Sequence, residues 1–355
     1  MTKITISERE AGQRMDKYLK KYLSGSTSGF LYKMLRKKNI TLNGGKASGN
    51  EILKAGDELT LFLSDETIVK FGGVLQQMEK NGFSGNINAQ KERQLEQSCR
   101  QYEEAYQKNK AVKIVFENKH ILVADKPAGM LTQKASPEDL SLNEWLIGYL
   151  LANNEITKEE LHTFKPSVCN RLDRNTSGLV LCGKTLAGSQ KISFLLKNRS
   201  LRKYYCLYVK GQVTEGAQME SYLEKDRESN RVKIYGSAEG EDASYIKTIY
   251  KPLKVYRNMT LLEAELVTGK THQIRIHLAS AGHPVLGDYK YGYLECNDRY
   301  KKKYGISTQL LHASRLEFPK LDGEWADLSE LVLTAELPEI FRVIDENESG
   351  AEARK

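Results

Sequence analysis

The chain has 355 residues, more than one domain usually contains, so two domains are the default expectation. Its five cysteines are scattered and form no Cys-x-x-Cys pair, which argues against a disulfide framework and a zinc site. No apolar run is long enough to span a membrane, and the N-terminus lacks the apolar segment of a secretory signal, so we expect a cytoplasmic protein. A net charge of +8 suggests a polyanionic partner such as nucleic acid.

Residues 1–63 are predicted to form a small basic α/β domain, with twelve Lys or Arg against six Asp or Glu. Apolar residues at helical spacing predict one helix over residues 15–22 and a second over residues 29–38. Short strands are predicted at residues 40–42 and 59–63. The second helix has a basic edge, formed by Lys33, Arg36, Lys37 and Lys38.

Residues 64–112 are rich in Gln, Asn, Lys and Glu and contain few apolar side chains. Residues 89–110 are compatible with a helix. We therefore predict a charged linker with one solvated helix and no role in chemistry.

A strand-rich region follows and is predicted to form a second domain over residues 113–340. Strands are predicted at residues 114–116, 121–124, 179–182, 204–209, 231–235, 245–250, 261–266 and 311–318, and helices at 142–153, 187–197 and 272–281. Many strands with few helices between them predict an α+β domain with a mixed, mainly antiparallel sheet. Residues 341–355 are predicted to be a polar C-terminal tail.

Asp173 lies between Arg171 and Arg174, an acid between two cations. A nearby positive charge favours the ionised form of a carboxylate, which makes it a poor general base but a credible nucleophile. An ordinary surface ion pair would explain the same pattern.

Tyr204 and Tyr205 occupy neighbouring positions of a predicted strand. They point to opposite faces, so only one of them can share a cleft with Asp173. Tyrosine offers a ring for stacking and a hydroxyl for proton handling, although simple packing in the sheet is an equal explanation.

The segment from Thr268 to Asp288 concentrates polar residues beside apolar ones. Its Gly-Lys-Thr lacks the upstream glycine of a phosphate-binding loop, because position 264 is Ala. The spacing of its histidines fits no zinc pattern, so we expect no metal. Arg275 remains as a fixed cation that can pair with a distant carboxylate.

Residues 170–181, N-R-L-D-R-N-T-S-G-L-V-L, resemble the signature of the RluA-type pseudouridine synthases, H-R-L-D-x-x-T-S-G-L-L. Three further blocks agree in order: D-K-P-A-G at 125–129, R-K-Y-Y at 202–205, and T-G-K-T-H-Q-I-R-I-H-L at 268–278, continuing to G-H-P-V-L-G-D at 282–288. The resemblance spans about residues 113–340. Residues 12–63 are similar to the S-four RNA-binding domain, which is often fused in front of this catalytic domain.

The resemblance implies a pseudouridine synthase fold and an isomerase that converts specific uridines of RNA to pseudouridine without a cofactor. It implies that Asp173 is the catalytic aspartate, that Tyr205 is the active-site tyrosine, and that Arg275 pairs with the acid. It also implies that Arg171 enters the base stack when the target nucleotide swings out, and that Ile274 lines the uracil pocket. For the S-four-like domain, it implies RNA contacts by Arg14, Lys33, Arg36, Lys37 and Lys38.

Two features depart from the family pattern: Asn170 stands where the family usually has His, and the linker is longer than usual for this fusion. The resemblance favours large-subunit ribosomal RNA over transfer RNA as the substrate, and we expect a monomer. One alternative is a catalytically inactive RNA-binding factor of ribosome assembly on the same fold. Another is a glycoside hydrolase, which would need a second carboxylate such as Asp288.

Overall fold

The computed structural model describes residues 1–71, 86–225, 232–235 and 243–352. Within that part of the chain, the polypeptide builds two separate sheets, a small one near the N-terminus and a large one that begins at residue 113. None of the helices in these ranges combines the length and the apolarity that a membrane span requires.

The N-terminal domain is a four-stranded antiparallel sheet covered by helices, in the strand order β1-β4-β2-β3. Its elements are β1 (Thr2–Thr5), α1 (Met15–Tyr22), α2 (Ser28–Arg36), β2 (Ile40–Leu42), β3 (Gly45–Lys46), β4 (Glu58–Leu61) and α3 (Asp65–Lys70). The apolar stripe of α1, with Met15 and Leu19 fully buried, forms one side of the core. Helix α2 begins where the Thr27 hydroxyl accepts a hydrogen bond from the backbone N–H of Phe30.

The prediction of a solvated linker helix is wrong for the described part of the segment. Helix α4 (Asn86–Lys108) packs along α5 (Leu142–Ala152) and buries Tyr102 and Ala105 in the core of the large domain. The two helices approach so closely that a Cβ added to Gly148 would lie 2.0 Å from the carbonyl oxygen of Tyr102. Helix α4 therefore belongs to the large domain, whereas linker residues 72–85 lie outside the described residues.

The large sheet has the order β11-β10-β12-β13-β9-β14-β8-β6-β5, with β15 paired to β14 and β7 paired to β8. Its strands are β5 (Lys113–Glu117), β6 (Ile121–Lys126), β7 (Ser167–Val168), β8 (Ser177–Gly183), β9 (Arg202–Lys210), β10 (Ala217–Lys225), β11 (Val232–Tyr235), β12 (Ser244–Val255), β13 (Met259–Leu266), β14 (Leu311–Glu317) and β15 (Val332–Thr334). The pair β8–β14 is parallel, and the other pairs between described strands are antiparallel. This confirms the predicted mixed, mainly antiparallel α+β architecture.

Both faces of the sheet are covered, and strand β6 illustrates how. Leu122 and Ala124 face the core that contains α4 and α5, whereas Ile121 and Val123 face a second core under α6 (Leu186–Lys197). This alternation explains the continuous apolar run of the sequence at this strand, because a strand buried on both faces needs apolar side chains at every position. The remaining helices are α7 (Gln273–Ser280), α8 (Leu294–Tyr304) and α9 (Glu339–Glu352), and short 3-10 helices occur at Glu160–His162 and Gly323–Leu328.

The predicted polar tail, residues 341–355, is instead the body of helix α9 as far as residue 352, and residues 353–355 lie outside the described residues. Phe341 and Ile344 are buried against the sheet, and the Tyr208 hydroxyl donates a hydrogen bond of 3.2 Å to the carbonyl oxygen of Phe341. Ile340 packs against the same core, so the apolar residues in the first two turns anchor the helix to the sheet. The large domain therefore continues beyond residue 340.

Replacing Ile344 with Ala is expected to lower the free energy of unfolding of the large domain by about 2–5 kcal/mol, because the side chain is fully buried. Arg342→Ala on the exposed face of α9 is the matched control. It removes ion pairs with Glu339 and Glu346, which at an exposed site contribute about 1 kcal/mol or less. Thermal and denaturant unfolding measure both effects, and equal losses would contradict a packed α9.

Candidate active site

A cleft of about 840 Å³ opens beside the segment that carries Asp173. Its walls come from residues 131–133 after β6, residues 169–174 after β7, the end of α6, the start of β9, and the loop that joins β13 to α7. Among the described residues, six cationic side chains line it: Arg171, Arg174, Lys197, Arg199, Lys203 and Lys270. Asp173 is the one carboxylate among these described lining residues, so the cleft, called the basic cleft below, is suited to a polyanion.

The backbone on both sides of Asp173 is held by hydrogen bonds. The Thr132 hydroxyl donates to the Leu172 carbonyl at 2.8 Å and accepts from the Leu172 N–H at 3.1 Å. The carbonyl of Asp173 itself accepts from the N–H of Thr176 at 3.0 Å. The carboxylate therefore projects from a fixed turn, which favours reproducible placement of a reacting group.

Asn170, which replaces the usual His of the signature, has a structural contact. Its side-chain oxygen accepts a hydrogen bond of 2.7 Å from the backbone N–H of Leu181 in β8. The neighbouring Cys169 donates its backbone N–H to the carbonyl of Leu181, also at 2.7 Å. Asn170 thus extends the pairing of β7 with β8 and ties the Asp173 turn to the sheet.

Gly178 lies where β8 passes the parallel strand β14. Its φ is +108°, and an added Cβ would be 2.2 Å from the carbonyl oxygen of Ala313. Beside it, the Ser177 hydroxyl and His312 Nδ1 are 2.8 Å apart, and burial lowers the pKa of His312 to about 4. His312 is therefore a neutral structural partner of Ser177. At position 178, only glycine fits the close approach of the two strands.

Arg275, the third residue of α7, is buried and reaches the acid that the sequence resemblance assigns to it. Its Nη1 donates a hydrogen bond of 2.8 Å to Asp173 Oδ2, although the two residues are 102 positions apart. Burial lowers the pKa of Arg275, but hydrogen bonds and charge from Asp288 and Asp173 outweigh burial and raise it above the usual value. The guanidinium is thus a permanent cation next to the carboxylate.

Tyr205 and Ile274 are both buried, and they line a small cavity of about 60 Å³ together with Asp173 and Arg171. Burial, reinforced by the charge of Asp173, raises the pKa of the Tyr205 hydroxyl above its usual value. Tyr205 therefore keeps its proton at neutral pH, which suits it for ring contact or hydrogen-bond donation rather than for proton abstraction.

The contacts of Tyr204 confirm the prediction that neighbouring side chains of β9 point to opposite faces of the sheet. Its hydroxyl donates to Glu317 at 3.1 Å, and its ring is covered by the guanidinium of Arg315 at 3.8 Å. Neither contact involves the basic cleft.

Arg171 is exposed and lines both the basic cleft and the small cavity. Within the described part of the chain, no carboxylate forms an ion pair with it. Its charge is therefore available to a ligand that enters the cleft.

Sequence reasoning missed two groups at this site, His272 and Asp288. His272 Nε2 is 3.8 Å from Asp173 Oδ2, and its Nδ1 is 2.8 Å from the Tyr291 hydroxyl. Asp288 binds Arg275 through two hydrogen bonds. The spacing of the histidines suggests only a metal site, and the sequence suggests only a hydrolase role for Asp288. In the described ranges, no cluster of His, Cys, Asp and Glu could hold a metal ion.

Lys126, in the D-K-P-A-G block, is fully buried and joins two loops of the site. Its ammonium group donates to the carbonyls of Pro127 at 2.9 Å, Met130 at 2.8 Å and Arg174 at 3.1 Å. Burial lowers the pKa of Lys126 from 10.5 to about 7, against the opposing charges of Asp173 and Asp125. The lysine thus holds the Asp173 turn against the segment after β6.

The lowered pKa of Lys126 predicts a pH-dependent stability. Between pH 7 and 10.5 the unfolded chain holds one more proton at this lysine than the folded protein, so this residue makes stability rise with pH in that window. The difference in Tm between the native protein and Lys126→Met should therefore shift in favour of the native protein from pH 6.5 towards about pH 9.5. Lys301→Met, at an exposed position, is the control. A pH-independent difference for Lys126→Met would contradict the lowered pKa.

The five predicted RNA contacts of the N-terminal domain do not form one cluster. Lys33 and Arg36 line a groove of about 370 Å³ on α2, together with Lys46, which sequence reasoning missed. Lys37 and Lys38 are exposed just beyond the end of α2. Arg14 lies outside the residues that line the groove and forms an internal ion pair with Asp16, with Nη2 and Oδ2 separated by 2.8 Å.

Comparison with known proteins identifies the family. Residues 120–280 match the RNA pseudouridylate synthase family. The chain is 30% identical to ribosomal large subunit pseudouridine synthase C of Pasteurella multocida, over 98% of this chain and 95% of the relative. It is also 30% identical to the protein of the same name from Rickettsia prowazekii, over 92% and 95%. The solved structure of human RNA pseudouridylate synthase domain containing 4 covers 69% of this chain and 94% of its own, with a TM-score of 0.50 and 21% identity, which shows a shared fold. The chain belongs to the RluA-type RNA pseudouridine synthase family.

Proposed function

We propose that the protein isomerises specific uridines of large-subunit ribosomal RNA to pseudouridine, with Asp173 as the catalytic group. The observation that carries this proposal is the 2.8 Å contact between Asp173 and Arg275 at the basic cleft. Family membership makes RNA the substrate class, and the names of the Pasteurella and Rickettsia relatives support the ribosomal large subunit as its source. Retention of Asp173, Tyr205 and Arg275 argues against an inactive assembly factor.

The reaction breaks the bond between uracil N1 and ribose C1′, turns the base, and joins C5 to C1′. Substrate and product have the same composition, so the isomerisation needs no net oxidation or group transfer. Arg275 and His272 both approach Oδ2 of Asp173, and within the described residues Oδ1 accepts no hydrogen bond. We assign Oδ1 as the reacting oxygen, whether it attacks C1′, adds to the uracil ring, or takes a proton from the ribose to give a glycal. All three routes require the anion, which Arg275 stabilises.

A uridine inside an RNA stack must leave the stack to reach this oxygen, at a cost of a few kcal/mol. We assign Arg171 to the space that the uridine vacates, because its guanidinium is exposed and has no partner in the described part of the chain. Tyr205 and Ile274 then provide an aromatic and an aliphatic wall for the uracil ring. We also propose that the protein acts as a monomer, and a ribosomal substrate supports action in the cytoplasm.

We also propose that the N-terminal domain is an S-four-type RNA-binding domain. Its candidate contacts are Arg14, Lys33, Arg36, Lys37 and Lys38. Of the described residues that line the groove with Lys33, Arg36 and Lys46, none is acidic, which suits phosphate binding. Nη1 of Arg14 makes no hydrogen bond within the described residues, so this side chain can pair with a phosphate while Asp16 orients it.

Lys33→Ala and Arg36→Ala are each expected to weaken RNA binding and to reduce the slope of log affinity against log salt by about one. The value of kcat at saturating RNA should not change, because neither residue lines the basic cleft. Lys54→Ala, an exposed lysine outside the groove, is the matched control. Titrations at several salt concentrations measure the slope, and slopes that match the control would remove this groove from the RNA interface.

The proposed function is tested with RNA labelled with tritium at uracil C5, since carbon 5 loses its hydrogen when it joins the ribose. Purified protein is incubated with large-subunit ribosomal RNA or with transfer RNA, and released tritium is counted. Mapping of pseudouridines in cells with and without the gene identifies the positions. Release from ribosomal RNA and loss of defined positions in the mutant cells are expected. No release from either RNA would overturn the proposal, and release from transfer RNA alone would overturn its ribosomal part.

A further inference from the structure

We propose that Asp288 is a positioning residue for the isomerisation, which holds the Arg275 guanidinium so that Nη1 faces Asp173. This inference rests on the proposed function and adds a residue to which that function assigns no role. Asp288 touches Arg275 rather than the reacting oxygen, so it acts through the arginine.

The geometry of the guanidinium supports this role. Oδ2 of Asp288 accepts from Arg275 Nε at 2.7 Å, and Oδ1 accepts from Nη2 at 2.8 Å. Two parallel bonds along one edge fix the plane of a guanidinium as well as its position. The remaining nitrogen, Nη1, is then directed to Asp173 at 2.8 Å. Without the second carboxylate, rotation about the last bonds of the side chain would be free to move Nη1.

Asp288 is itself held rigidly, with a side chain that is 1% exposed. Its Oδ1 also accepts from the backbone N–H groups of Lys290 at 2.9 Å and Tyr291 at 3.2 Å. The Asn297 side chain donates to the carbonyl of Asp288 and accepts from the N–H of Gly287, both at 2.9 Å. A turn fixed in this way suits a residue whose task is to orient another residue.

The surroundings restrict Arg275 from a second side. The Tyr291 ring lies 5.2 Å from the guanidinium carbon of Arg275, and the Tyr291 hydroxyl contacts His272 Nδ1 at 2.8 Å. The buried Asp288 carboxylate and the Tyr291 ring thus both restrict the position of the Arg275 guanidinium. A neutralising counter-charge alone would not require two bonds along a single edge.

Asp288→Asn tests the orientation with little change to the turn. The Asn oxygen can keep the Oδ1 contacts with Arg275 Nη2 and the two backbone N–H groups, whereas the new NH₂ group faces Arg275 Nε–H, donor against donor. We expect kcat to fall by about 10- to 100-fold and KM for RNA to stay within about twofold. Asp298→Asn, an exposed acid on α8, is the matched control and should keep the native kcat.

A double-mutant cycle distinguishes positioning from a general structural role. If Asp288 acts through Arg275, then Asp288→Asn in an Arg275→Ala background causes no further loss, and activity rises if the unpaired buried acid was harmful. If the double variant instead loses activity by the product of the two single-variant factors, the inference is overturned. Rates are measured in single turnovers with excess enzyme, so that slow variants remain measurable.

If Asp288→Asn does not fold, Asp288→Glu keeps the charge but shifts the carboxylate by one methylene. An intermediate kcat with unchanged KM is then expected, and a fully native kcat would overturn the inference. A native protein that forms no pseudouridine would instead overturn the proposed function, so the two failures are distinguishable.

Discussion

Asp173→Asn is expected to lower the rate of pseudouridine formation by about four orders of magnitude or more, while RNA binding stays near native. The substitution keeps the size of the side chain and the hydrogen bond from Arg275 but removes the negative charge. Each of the three chemical routes begins with that charge. Tritium release from C5-labelled RNA in single turnovers measures the loss, and equilibrium titration measures the binding.

The control for this variant is Glu138→Gln, which neutralises an exposed acid that does not line the basic cleft. It should release tritium at the native rate. Native release by Asp173→Asn as well would move the reacting group to another residue and remove the basis of the proposed mechanism. A joint loss of RNA binding and release would instead point to a failure of folding, which circular dichroism detects.

Gly178→Ala is expected to lower the free energy of unfolding of the large domain by about 2–5 kcal/mol. About 1–2 kcal/mol comes from a non-glycine residue at positive φ, and about 1–3 kcal/mol from forcing a methyl group against the Ala313 carbonyl. Separation of β8 from β14 would also shift the Asp173 turn, which precedes Gly178 by five residues. Tm and tritium release should therefore fall together.

Gly305→Ala is the matched control for the backbone contribution. Gly305 ends α8 with a φ of +71°, and an added Cβ would meet nothing within 4 Å. Gly305→Ala should lower the free energy of unfolding only by the backbone contribution, about 1–2 kcal/mol, and tritium release should stay native. Equal losses for the two variants would show that contact with Ala313 is unimportant.

Local periodicity predicted the elements whose side chains alternate or repeat strongly. Strand β6 is buried on both faces and is a continuous apolar run, and β9 places Tyr204 and Tyr205 on opposite sides, as the spacing requires. The contact between Asp173 and Arg275 was expected from the order of four sequence blocks that resemble a family. Spacing alone does not predict it, because 102 residues separate the pair.

The sequence-based predictions failed for elements that are held in place by tertiary packing rather than by a local sequence pattern. Helix α4 shows few apolar residues, and its burial depends on a glycine in α5 that admits the Tyr102 backbone. Helix α8 is almost wholly polar and buries little more than Asn297 and Tyr300, so no periodic signal predicted it. The role of Asp288 was missed for the same reason, because its partner is defined only in three dimensions.

The contact of Asn170 with strand β8 explains how this chain can depart from the family signature at its first letter. The amide oxygen accepts a hydrogen bond of 2.7 Å from the Leu181 N–H, so the Asn170 side chain has a structural role within the protein. A histidine there would offer a ring nitrogen at a similar distance from its own Cβ, and either residue satisfies one backbone donor. Asn170 therefore supplies an acceptor for this backbone donor, and the Asp173 turn stays tied to the sheet.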